Sequence, residues 1–120
     1  MVVDELDALR KKFEGCTALA FADLSTRMIL VTDSDSNLRR EALDALCAEA
    51  ALLLGAKGHP AFADRPSDLA TVTSPTELRV FVRAAADPND VLCCICGPKI
   101  DAAAFVVDAG ECLDRISSGD

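Results

Sequence analysis

The side chains best able to do chemistry in this sequence are its six cysteines, three of which, Cys93, Cys94 and Cys96, crowd into one apolar segment. On a strand, side chains two positions apart share a face, so Cys94 and Cys96 point the same way. A structural zinc site wants four ligands, and the single histidine, His59, stands between Gly58 and Pro60 far along the chain from this pair. A redox cysteine wants a cation or a helix N-terminus beside it to hold the thiolate; only Cys96, just ahead of the last helical segment, comes near one. A Cys–His nucleophile could be drawn with any of the six thiols, so the combination selects nothing. Disulfide scaffolds are loop-rich and poor in core, whereas this chain is 51% apolar. The thiols therefore read as free, buried packing groups in a reducing compartment.

Other constellations dissolve in the same way. Asp33-x-Asp35-x-Asn37 opens like a calcium loop whose twelfth position falls at Asp44. The sixth position, however, is Leu38 where glycine makes the turn, and the bidentate glutamate is missing. The same oxygens serve equally to cap a helix. Gly55-x-x-Gly58 lacks the Lys and Ser/Thr of a phosphate loop and follows a helical stretch, so it reads as a helix stop. Arg79, Phe81 and Arg83 alternate along one segment and form the one basic-aromatic stripe in the chain. That stripe is a candidate partner surface, since Arg and Phe are enriched at interfaces; an ordinary solvated sheet edge is the competing reading. No catalytic residue, metal or cofactor is assigned.

Composition narrows the partners. A net charge of −8 argues against nucleic acid, whose phosphates require clustered Lys and Arg. It equally disfavours an anionic membrane surface. The N-terminus meets Asp4 and Glu5 at once, unlike a secretory signal, and the uncharged run Ala50 to Ala56 is far short of the roughly 20 residues that span a bilayer. A cytoplasmic protein without membrane insertion is expected, one domain over residues 1–120. Aromatics are only 4% of the chain, with no Trp or Tyr, so the core must rest on Ala, Leu and Val.

The elements that must hold these residues follow from periodicity. Leu6, Leu9 and Phe13 fall on one face of a helix over 3–13, with acid at its start and Arg10, Lys11 and Lys12 at its end, as the helix dipole favours. Two strands, Thr17 to Leu24 and Arg27 to Thr32, flank a short turn and make a hairpin. In the first, Ala18, Ala20 and Ala22 alternate with larger residues, and so small a face lets a helix pack closely. A helix runs from the capping residues before Leu38 to about Leu54. From Cys47 to Leu54 only Glu49 is charged, so apolar side chains point in nearly every direction. A helix lying on its own sheet needs one apolar stripe, and the excess is expected to be covered by a second chain.

Leu69 to Thr73 is a short strand. Ser74-Pro75-Thr76-Glu77 has the form of a capping box that would start a helix. Against it, Leu78, Val80 and Val82 alternate with Arg79, Phe81 and Arg83, which favours a strand. Val91 to Cys96 is a near-continuous apolar run, as in a central strand buried on both faces, and a closing helix covers 101–117. The expectation is α+β: a central five-stranded antiparallel sheet with helices packed on it, in the order αββαβββα.

This order, with Leu19-Ala20-Phe21-Ala22-Asp23, Met28-Ile29-Leu30-Val31, the Ala-rich helix ending Leu52-Leu53-Leu54-Gly55 and the apolar strand before Gly97, resembles the roadblock / dynein light chain family, which shares a profilin-like and longin-like sheet. The resemblance covers nearly the whole chain, although the first hairpin lacks the glycine that many bacterial relatives carry at its turn. It implies a homodimer or heterodimer in which the central helices pair and edge strands join two sheets. The residues then expected at the contact are Leu43, Leu46, Cys47, Ala50, Leu53 and Leu54, with Leu69 and Val72 on the edge strand. Family members act as adaptors and as regulators of small GTPases, so a non-enzymatic, homodimeric adaptor or regulator, a small GTPase among its candidate partners, is what the resemblance implies. The rival is a small-molecule-sensing domain of the PAS or profilin-like kind, which would need an interior cavity.

Overall fold

Alternating side chains build the sheet on which everything else sits. The computed structural model describes residues 2–34, 39–54 and 68–118. Among them, strands β1 (Cys16–Asp23), β2 (Met28–Ser34), β3 (Leu69–Thr73), β4 (Leu78–Arg83) and β5 (Asp90–Cys96) pair antiparallel in the spatial order β2-β1-β5-β4-β3. Helices α1 (Val2–Lys12), α2 (Arg40–Leu54) and α3 (Ala102–Ser118) complete the expected order αββαβββα. The strands β2 and β3 form the two edges, and the Cys-rich β5 is central, as its unbroken apolar run requires.

The two tight turns show how local chemistry sets the register. Between β1 and β2, Asp23 Oδ1 accepts hydrogen bonds from the Ser25 N–H (2.9 Å) and the Ser25 hydroxyl (2.7 Å). Arg27 then takes the left-handed conformation, with φ 56°, in a position where glycine would be free of the Cβ clash. The missing turn glycine is thus replaced by a strained arginine. Between β3 and β4, the Ser74 N–H donates to the Glu77 carbonyl (2.9 Å), and Ser74 Oγ accepts from the Glu77 N–H (3.1 Å). The oxygens that could have capped a helix close a hairpin instead, and Leu78–Arg83 is a strand.

The sheet has two unlike faces. On one, Leu19, Phe21, Val80, Val82, Leu92 and Cys94 meet Leu6 and Leu9 of α1 and Phe105, Ala109 and Leu113 of α3. Phe13 closes this layer with its ring edge-on to Phe105, centroids 5.1 Å apart. On the other, Ala20, Ala22, Phe81, Val91 and Cys93 meet α2, through Leu46, Cys47, Ala50, Ala51 and Leu54. The small alanines of β1 let α2 lie close, as their spacing suggested.

Candidate partner-binding face

Among the described residues one helix covers the second face, and its geometry follows from what holds it down. Arg79 of β4 reaches Glu49 on α2 (Nη1 to Oε1, 2.9 Å) and Glu77 at the hairpin (Nε to Oε2, 2.5 Å). The bonds from Glu49 first, and Glu77 next, raise its pKa above the ordinary arginine value. Phe81, fully buried, packs beneath the helix. The Arg83 guanidinium donates to the Leu54 carbonyl at the end of α2 (2.8 Å) and to the Pro88 carbonyl (2.7 Å). It thereby satisfies an orphan carbonyl at a helix C-terminus, where a cation also suits the dipole. Burial lowers the Arg83 pKa, and Asp68, with Oδ1 3.7 Å from Nε, opposes that shift.

These contacts correct the expectation of a surface stripe. Arg79, Phe81 and Arg83 do share one face, but that face lies under α2. Phe81 is core, Arg83 is buried, and Arg79 alone retains substantial exposure. The stripe is the track on which the central helix is seated. A second correction concerns the helix itself. Leu46, Cys47, Ala50 and Leu54, expected at a contact between chains, are covered by the chain's own sheet. Leu43 and Leu53 are half-buried. What α2 turns outward is Ala45, Ala48 and Leu52, spaced three and four apart on one stripe, with Leu52 61% exposed. The sequence signal was present in the all-round apolarity of 47–54, but which residues face the sheet depends on helix rotation, which the helix sequence does not report.

The surroundings of that stripe are also unfinished. Among the described residues β3 bonds to β4 on one side only and is an edge. Along it Val72 packs half-buried toward α2, while Leu69 is exposed. Across the sheet, Met28 and Leu30 of the other edge, both about half exposed, line a groove with Leu43, Arg40 and Asp44 at the start of α2.

The chemistry-bearing residues take quieter roles. Burial pushes the Cys47, Cys93 and Cys94 thiols above their ordinary pKa, and Cys112 up to about 11. Since the thiolate is the nucleophile, these four are held in the unreactive form. Asp33 of the supposed calcium loop is bound by Arg10 (2.6 Å); Asp35, Asn37 and Leu38, like Gly55, Gly58 and His59, lie outside the described residues. Among the described residues, no group of three His, Cys, Asp or Glu is placed to hold a metal. Nor is any helix among them long and apolar enough to cross a membrane.

A five-stranded antiparallel sheet in this strand order, with two helices on one face and the central helix on the other, is the roadblock fold. A Roadblock/LC7 domain from Streptomyces avermitilis is similar at a TM-score of 0.76 and 15% identity, over 97% of this chain and 94% of that one. MglB from Myxococcus xanthus is similar at 0.75 and 11% identity, over 99% and 96% of the two chains. MglC from the same organism is similar at 0.67 and 13% identity, over the full length of both. No family model matches the sequence, and no curated protein does. The shared feature is the fold.

Proposed function

We propose that this chain is a non-enzymatic regulator or adaptor of roadblock type that works as a homodimer and modulates a small GTPase. The observation that carries this reading is the outward stripe Ala45–Ala48–Leu52 on α2, lying over a sheet whose β3 edge has no further strand beside it among the described residues. Small residues flanking one large apolar side chain let two copies of a helix approach closely. Leu69 and Val72 on β3 stand on the edge strand through which the two sheets would join. Pairing two β3 edges would also remove an aggregation liability that exposed edges carry. The half-buried Leu43 and Leu53 flank the same stripe and belong to the proposed contact; the fully buried positions of α2 support it only from beneath. The roadblock resemblance supplies the small GTPase as partner, and the MglB and MglC likeness is in keeping with it.

Sedimentation velocity of the purified chain tests the assembly: twice the chain mass is expected at micromolar concentration. Leu52→Glu is expected to give a monomer with unchanged far-ultraviolet circular dichroism. A wild-type chain that stays monomeric at high concentration overturns the reading. Pull-down with small GTPases of the same cell, loaded with GDP or a GTP analogue, tests the partner; capture is expected to depend on the nucleotide.

A further inference from the structure

The β1–β5 ladder carries a feature that the proposed function does not use. Over most of its length β1 runs in one register with β5, Leu19 opposite Cys94 and Ala20 opposite Cys93, but the register shifts between Cys16 and Ala18. Strict alternation would put Cys16 on the α2 face with Ala18 and Ala20. The extra residue, the exposed Thr17, turns Cys16 over, so that it joins Leu19, Phe21, Cys94 and Cys96 on the α1/α3 face. Re-aiming a side chain is what a bulge does. Here it sets Cys16 directly opposite Cys96.

The rung is the favourable kind. The Gly97 N–H donates to the Gly15 carbonyl at 2.7 Å, which makes the next positions inward, Cys16 and Cys96, a non-hydrogen-bonded pair. Such pairs bring Cα atoms to about 4.5 Å, inside the span of about 4.4–6.8 Å that a disulfide bridges. Both side chains lie in the same buried layer of the α1/α3 face. No other cysteine has a cysteine opposite it. Cys93 lies between Ala20 and Phe81, and Cys94 between Leu19 and Val80, while Cys47 and Cys112 are on helices.

We propose that Cys16 and Cys96 are a paired thiol site that a hydroperoxide closes into a cross-strand disulfide. One sulfur, as thiolate, attacks the peroxide oxygen, and the displaced oxygen takes up a proton and leaves as water or alcohol. The second sulfur attacks the resulting sulfenic sulfur and expels hydroxide, which leaves as water. Two thiols and one hydroperoxide thus give one disulfide, with the peroxide as the two-electron oxidant.

Both thiols are buried, and the adjacent Cys96 thiol, with burial, holds Cys16 far above the ordinary thiol pKa. The closed rung is therefore slow to react, and the step awaits opening of the strand ends. That opening is local. The pair is the last rung of the β1–β5 ladder, and beyond it an open groove lined by Lys12, Phe13, Lys99 and Ile100 meets Gly15 and Gly97.

The test oxidises the folded, fully reduced chain with hydrogen peroxide, blocks remaining thiols by alkylation and maps the peptides without reduction. A Cys16–Cys96 linked peptide is expected, at a mass lower by two hydrogens. The oxidised form is expected to melt about 10 °C or more above the reduced one, because the bridge closes a long loop. Cys47→Ser is expected to keep the bridge, and Cys96→Ser to lose it. The wild-type map decides the matter even where Cys96→Ser folds poorly: a bridge between other cysteines, or overoxidation without any bridge, overturns the proposal.

Discussion

The two faces of the sheet are built from different materials and finished to different degrees. The α1/α3 face uses Leu, Phe and Val, and two helices seal it. They are laced together by Arg115 with Glu5 and by Lys12 with Asp108. The α2 face sets the small Ala20, Ala22 and Cys93 beside Phe81 and Val91, and among the described residues one helix crosses it, clamped by Arg79 and Arg83. Large side chains fill a gap between layers; small ones bring a helix down close to the sheet. The proposed association would use the face that α2 covers, not the one that α1 and α3 seal.

The contrast can be broken in several places. The largest effect belongs to the sealed face: Phe105→Ala, at a fully buried ring touching Phe13, is expected to cost about 4 kcal/mol in a denaturant titration. On the other face the opposite error should hurt. Ala50→Leu, at a fully buried alanine between α2 and the sheet, is expected to cost about 2 kcal/mol by overpacking, and a neutral result would mean that α2 sits more loosely than described. Leu52→Glu should change protomer stability by no more than about 0.5 kcal/mol, as for an ordinary exposed site, when measured at concentrations too low for association.

The smallest effect is a slope. Burial raises the Asp90 pKa above the carboxylate norm, against the Ser117 hydroxyl that donates to it, with Asp87 and Asp23 adding to the rise. The folded chain therefore keeps this proton where the unfolded chain has lost it, and stability falls as pH rises from the unfolded value through the folded one. Asp90→Asn should remove that fall. Urea titrations between about pH 4 and pH 6 check it, and an unchanged slope would place the titration elsewhere.

Much of this arrangement was legible beforehand. Element type and order could be read because the strands alternate cleanly and the turns carry their own chemistry, as at Asp23 and Ser74. Orientation was harder. Period two put Arg79, Phe81 and Arg83 on one face but did not say that α2 would lie over it. The apolar stretch 47–54 announced more apolar surface than one sheet needs, yet Leu52 and Ala48, not Leu46 or Ala50, point away. Least legible was the bulge at Thr17, since one inserted residue reverses every side chain before it and leaves no compositional mark. The one hint was that Cys16 stands out of phase with Leu19 and Phe21 while matching Cys96 in kind.

Arg83 also has a consequence for engineering. Its guanidinium grips Leu54 at the end of α2 and pairs with Asp68, whose carbonyl accepts the Arg83 N–H where β3 begins. Leu54 and Asp68, the described residues on either side of 55–67, are therefore held by one side chain. Doubling the length of chain between such fixed ends adds only about 0.6 kcal/mol of closure entropy. A peptide epitope or fluorescent reporter spliced between those two residues should therefore cost the sheet little stability, because the anchor on either side stays in place.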